Sequence, residues 1–218
     1  MTSSKIITTL AAHSDPVSTL SVSWDDSMII SGSWDGLMRI FDLETSQCLK
    51  TLTYNGTSHG TATASTSDVI SYPISNVVLS PNGKYILSSS LDGFVRLWDY
   101  MDNRVIKTYH GISGKEAISE KYNCGARFIV GTDRTMIVSG SDRSGVLVWD
   151  VQSKEIVYGY NNGNDAVLEV DVNDEVLVSC SRDGIVNVFE LNPAYKKRKL
   201  SEEVDMNTVD NTRDNTPF

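Results

Sequence analysis

Three histidines, three cysteines and a series of aspartates in tight turns are the side chains of this chain with the greatest capacity for chemistry. His13, His59 and His110 lie far apart, and no serine nucleophile elbow, phosphate-cradling glycine loop or zinc-ligand spacing accompanies them. Cys48, Cys124 and Cys180 are odd in number, widely spaced and not grouped with histidine. They read as reduced thiols of the cytosol or nucleus, not as a disulfide framework or a zinc site. Asp35, Asp92 and Asp183 suggest acid/base pairs at first sight. Each stands six residues before an aromatic, at Phe41, Trp98 and Phe189, and Arg143 stands six before Trp149. A spacing that strict is hairpin chemistry repeated along the chain, so the carboxylates need no catalytic explanation. The expectation is a chain that is not an enzyme and uses no cofactor or metal.

The elements that carry these residues repeat four times. The segments read IISGSWDGLMRIFD (29–42), ILSSSLDGFVRLWD (86–99), IVSGSDRSGVLVWD (137–150) and LVSCSRDGIVNVFE (177–190). Each is an apolar strand ending in small residues, a tight turn, and a second apolar strand. Successive aromatics are 57, 51 and 40 residues apart, the shortest being close to the WD-repeat period of about 40–45. In the first unit the strands fall at about 17–23, 28–33, 37–43 and 47–53, and in the last at about 166–172, 176–181 and 185–191. Helix signals are absent. A sheet of this kind is apolar on both faces and needs a neighbour stacked on each, which predicts an all-β propeller over 1–192. The last unit has three strands, while Lys5–Leu10 (KIITTL) is an orphan. It either completes the last blade or is the outer strand of a preceding one.

Hydrophobic residues make up 40% of the chain and the net charge is −9, the balance of a globular protein whose body does not attract nucleic acid. No apolar run reaches the roughly 18 residues of a membrane span, and MTSSKIITTL lacks the regions of a signal peptide. Two stretches fall outside the repeat. Residues 55–68 are small and polar, a loop inserted between the first two blades. Residues 193–218 read as a disordered tail whose charges cancel, and its cluster Lys196–Lys199 resembles a nuclear localisation signal.

In WD repeats, a His before the first strand and the turn Asp form a buried hydrogen-bond network with a Ser and a Trp. The first unit has His13, Ser31, Ser33 and Asp35, with Phe41 in place of the Trp. The second has Asp92 and Trp98 without a His; the third has Trp149 with Arg143 at the Asp position and Asp142 one place early; the fourth has Asp183 with Phe189. These residues read as structural.

A closer resemblance rests on AHSDPVS (12–18), DGLMRIFD (35–42), QCLKTL (47–52), SPNGKYIL (80–87), LDGFVRLWDY (91–100), MIVSGS (136–141) and KEIV (154–157). Over nearly all of 5–191 the chain is similar to the C-terminal four blades of the WD-repeat subunit of COMPASS-type histone H3 lysine-4 methyltransferase complexes, in its fungal form. That family's ring has seven blades, so about three would be missing on the N-terminal side. The resemblance implies a noncatalytic nuclear scaffold whose partners are other subunits of the complex, with no direct contact to nucleic acid or membrane. It implies a cleft for a neighbouring subunit's short acidic-hydrophobic peptide, matched by Asn82, Tyr85, Leu97, Lys107 and Gln152, with Val130 aligned across a one-residue gap. Asn82 and Lys107 suit a peptide's backbone and carboxylate; Tyr85, Leu97 and Val130 suit its apolar side chains. Leu97→Glu is then expected to abolish docking and leave the fold intact. Animal members clamp an arginine between two aromatic rings in the central opening. Here Pro16, Ser18 and Trp34 match rim positions, but a clamping Phe is replaced by Gly125 or Ala126, which predicts no working arginine pocket. The rival readings are a WD-repeat adaptor of another complex and a truncated, nonfunctional relative.

Overall fold

The computed structural model describes residues 5–54, 72–130, 134–161, 165–173 and 175–191. Alternating apolar and small residues build fifteen strands and, among the described residues, no helix. Blade 1 is β1 (Val17–Val22), β2 (Met28–Ser33), β3 (Met38–Asp42) and β4 (Cys48–Leu52). Blade 2 is β5 (Ile74–Leu79), β6 (Tyr85–Ser90), β7 (Val95–Asp99) and β8 (Arg104–Tyr109). Blade 3 is β9 (Ala126–Ile129), β10 (Met136–Gly140), β11 (Val146–Asp150) and β12 (Ile156–Tyr160), and blade 4 is β13 (Val167–Asn173), β14 (Val176–Ser181) and β15 (Val186–Glu190). Each blade is an antiparallel meander in sequence order, and the strands of the first and last units lie within two residues of their expected bounds.

The core is one interface made three times. Ile30, Met38 and Ile40 of blade 1 pack on Ile86 and Trp98 of blade 2. At the same register, Leu87, Val95 and Leu97 of blade 2 pack on Ile137 and Trp149 of blade 3. Val138, Val146 and Val148 of blade 3 then pack on Leu177 and Phe189 of blade 4. Each such aliphatic side chain contributes roughly 1.5–3 kcal/mol when fully buried. The two faces of every sheet therefore have fixed roles: one faces the preceding blade, the other the following one.

Lys5–Leu10 forms no strand and does not complete blade 4. It runs beside blade 1, where Ser46 Oγ donates to Thr8 Oγ1 at 3.4 Å, and Ile6 and Ile7 point into solvent. Among the described residues, blade 4 keeps three strands. The insertion 55–68, including His59, and the tail with Lys196–Lys199 lie outside the described residues.

Candidate functional site

The turn residues divide between the two ends of the blades. The Asp-containing turns join the second and third strands at one end. The turns at Asn82 and Gln152, and the chain after β9, lie at the other.

At the first end, blade 1 places His13 Nδ1 3.0 Å from the Asp35 carboxylate and His13 Nε2 2.7 Å from Ser31 Oγ. Burial raises the Asp35 pKa, but the Leu37 amide, His13 and the Ser14 amide outweigh it and hold the carboxyl below its ordinary value. Blade 2 has no His, and Arg96 takes its place. The buried guanidinium donates at 3.0 Å to both Ser90 Oγ and Asp92 Oδ1, closes a second contact to the Asp92 carboxylate, and stacks 3.7 Å over the Tyr54 ring. Trp98 Nε1 donates to Ser88 Oγ at 2.8 Å. In blade 3 Asp142 accepts the Glu120 and Lys121 amides at 2.7 and 2.8 Å, so the early carboxylate holds the blade 2–blade 3 connection; Trp149 Nε1 donates to the His110 carbonyl. In blade 4 Asp183 accepts from Ser181 Oγ and the Ile185 amide, both within its own turn.

At the other end, Asn82 is exposed, but its Oδ1 accepts Ser80 Oγ at 2.7 Å and the Lys84 amide at 3.1 Å, which fixes the β5–β6 turn. Tyr85 is half-buried against the blade 2–blade 3 core. Val130 is 52% exposed beyond β9, and Gln152 is exposed in the β11–β12 turn. Lys107, on β8, donates from Nζ to the Val151 and Gln152 carbonyls at 2.8 and 3.0 Å, and burial lowers its pKa. The fold thus gathers Asn82, Tyr85, Lys107, Val130 and Gln152 at one end of blades 2 and 3.

Leu97 departs from that group. It is fully buried in the blade 2–blade 3 core, paired with Leu87 and Lys107. Its side chain offers no surface seat, and Leu97→Glu would place a carboxylate in the core, so the expectation that the fold tolerates it is corrected.

Sequence reasoning also missed a repeated staple. Lys50 occupies in blade 1 the register of Lys107 in blade 2, and its Nζ donates to the Tyr100 and Met101 carbonyls at 2.9 and 2.6 Å. A lysine at this position pins the outer turn of the next blade in both cases. Its signal was readable as a Lys two residues before the last residue of the fourth strand in units one and two.

Toward the central opening, Ser18 Oγ donates to the Gly32 and Ile74 carbonyls, tying blade 1 to blade 2, and the Trp34 amide donates to the Pro16 carbonyl. Ser18, Ser75, Asn76, Arg127 and Glu169 line a cavity of about 400 Å³. Arg127 pairs with Glu169 at 3.2 Å. A Cβ on Gly125 would come within 1.9 Å of Glu169 Oε1, so a ring there would have to displace that carboxylate, and Ala126 is fully buried. Among the described residues no group of three or more His, Cys, Asp or Glu side chains is placed to hold a metal.

The WD40 pattern (WD domain, G-beta repeat) matches residues 4–42 and 48–99. The chain is 35% identical over 158 residues to the COMPASS component SWD3 of Saccharomyces cerevisiae, covering 70% of this chain and 47% of that protein. It is 27% identical over 148 residues to the WD repeat-containing protein 26 homolog of Arabidopsis thaliana, covering 62% of this chain and 23% of that one. The chain thus spans from about half to a quarter of the length of these relatives. Among solved structures, U3-55K superposes with a TM-score of 0.66 at 26% identity, over 85% of this chain and 52% of that one. The computationally designed Ika4 protein superposes with a TM-score of 0.63 over 87% of this chain and all of that one; at 19% identity it speaks for the fold alone. Four stacked meander blades, the recurring turn network and these likenesses agree that the chain is a β-propeller built of WD40 repeats.

Proposed function

We propose that this chain is a noncatalytic scaffold subunit of a nuclear COMPASS-type complex that methylates histone H3 lysine 4. The observation that carries the reading is the 35% identity to a COMPASS component over 70% of the chain. In this reading the chemistry belongs to a partner with a methyltransferase domain. The WD-repeat chain holds a short acidic-hydrophobic peptide of a neighbouring subunit across the outer turns of blades 2 and 3. Val130 and the Tyr85 ring give the peptide an apolar seat, Asn82 and Gln152 meet its backbone, and the Lys107 charge favours its acidic side chains. Leu97 supports that surface from below, packed under the Tyr85 side of the blade. The tail cluster Lys196–Lys199 directs the chain to the nucleus.

The test is affinity purification of the tagged full chain from nuclear extract. Methyltransferase subunits are expected to co-purify; recovery of ubiquitin-ligase or signalling partners instead would replace this reading with that of a general adaptor. Val130→Glu with Gln152→Ala changes only exposed side chains, and is expected to reduce methyltransferase recovery at an unchanged melting temperature. Full recovery with the double variant would remove the docking assignment.

A further inference from the structure

Blades 1 and 4 each present the half of an inter-blade interface that the other lacks. The positions that face a following blade are buried in blades 1–3: Ile40, Leu97 and Val148 at one register, Met38, Val95 and Val146 at another. In blade 4 these registers hold Val188 and Val186, which are 70% and 66% exposed. Conversely, the inner-strand position that faces a preceding blade is Val77, Ala126 and Val170 in blades 2–4, all buried. In blade 1 it is Leu20, 65% exposed, with Val22 exposed beside it. Blades 1 and 4 therefore do not close on each other.

Two further features match the same missing contact. Ser89, at the register of Cys180, is buried under the inner edge of blade 3, where its Oγ donates to the Cys124 carbonyl at 2.8 Å; Cys180 sits exposed on blade 4 at the matching place. Blade 4 also has three strands among the described residues, while Lys5–Leu10, in no sheet, precedes blade 1 where the outer strand of a preceding blade would run.

We infer that a second copy of this chain covers both faces, blade 4 of each stacking on blade 1 of the other, with Lys5–Leu10 of one copy pairing along β15 of its neighbour. The contact is heterologous, so it forms a closed ring only if the rotation per blade allows. Two four-blade arcs give eight blades, inside the usual propeller range of about 4–8. Val188 of one copy meets Leu20 of the other, as Ile40 meets Val77 within the chain. The inference does not depend on the peptide-docking reading, which concerns the outer turns.

The experiment is light scattering on the purified full chain over a concentration series, without any other protein. A monodisperse species of twice the 24.0 kDa chain mass is expected. Val186→Glu with Val188→Glu, and separately Leu20→Glu with Val22→Glu, should each halve that mass while the circular dichroism stays that of folded sheet. Mixing the two variants should restore a two-chain species, because each retains the face that the other has lost; a misfolded variant cannot do this. Maleimide should label Cys48 but not Cys180 in the wild type, and both in either variant alone. A wild type at single-chain mass, or a mass that grows past two chains with concentration, would overturn the inference. So would a doubled mass unaffected by these variants. None of these outcomes bears on methyltransferase recovery.

Discussion

Blades 1 and 2 solve one problem with different side chains. Each must hold a turn aspartate, Asp35 or Asp92, beside a serine at the end where the second strand turns into the third. Blade 1 brings in His13 from the chain before its first strand; blade 2 uses Arg96 from its own third strand. The register shows why both work. Arg39 occupies in blade 1 the place of Arg96, four residues after the turn Asp, but there the histidine reaches the carboxylate instead. The His is a device for ordering the incoming chain as well as the turn. Where an arginine on the strand holds the carboxylate and an aromatic from the preceding blade's edge, Tyr54, covers the guanidinium, the His is dispensable.

The comparison can be broken hardest where the two blades are alike. Leu97→Glu and Ile40→Glu each bury a carboxylate between blades, and a loss of several kcal/mol is expected, enough to abolish the cooperative thermal transition in both. A cooperative melt for either would mean that blade interfaces relax far more than their packing suggests. Next, Arg96→Ala removes the partner of a mostly buried aspartate and is expected to cost about 3–5 kcal/mol in urea denaturation. His13→Ala should cost less, about 1–3 kcal/mol, because Arg39 stands at the register from which Arg96 reaches its aspartate. If so, His13→Ala combined with Arg39→Ala will cost more than the sum of the single variants; strict additivity would show that the arginine does not substitute.

Smaller effects come from the lysine staples. Lys50→Met and Lys107→Met each remove a charged donor from two backbone carbonyls, and about 1.5–3 kcal/mol is expected for each by denaturant titration. Similar losses would make Lys107 a structural staple first; a negligible loss for Lys107 alone would assign it to docking. The smallest effect is in acid. The Asp35 pKa is held below its ordinary 3.8 in the folded chain, so its contribution is present above that value and is lost as the pH falls through the folded value. His13→Ala removes one of the groups that lower it. The variant's penalty relative to wild type, followed by thermal melts from about pH 5 to 2, should therefore shrink as the pH falls.

The fold was largely legible because the repeat writes its own register. Phe41, Trp98, Trp149 and Phe189 at fixed distance from a turn locate the second and third strands of every blade, and alternation locates the first and fourth. The candidate site was legible only in part. Turn residues such as Asn82 and Gln152 could be assigned to one end of the blades by position alone, since a turn between named strands has only one place to be. Leu97 and Lys107 could not. On a strand that is apolar on both faces, alternation separates the two faces but does not say whether a neighbour covers either of them. Likewise Arg96 reads as a solvated arginine until Tyr54 and Asp92 are seen to close around it.

By itself, then, the sequence determined what depends on neighbours along the chain: strand periods, turn chemistry, the serine-aspartate turns, and the absence of any local catalytic spacing. The tertiary structure alone decided what depends on stacking. It buried Leu97, turned Lys50 and Lys107 into ties between blades, and left Leu20, Val186 and Val188 uncovered at the two ends of the arc. The physical reason is that a blade's register is fixed by hydrogen bonds within its own sheet, whereas burial of its faces is fixed by which blade lies against it.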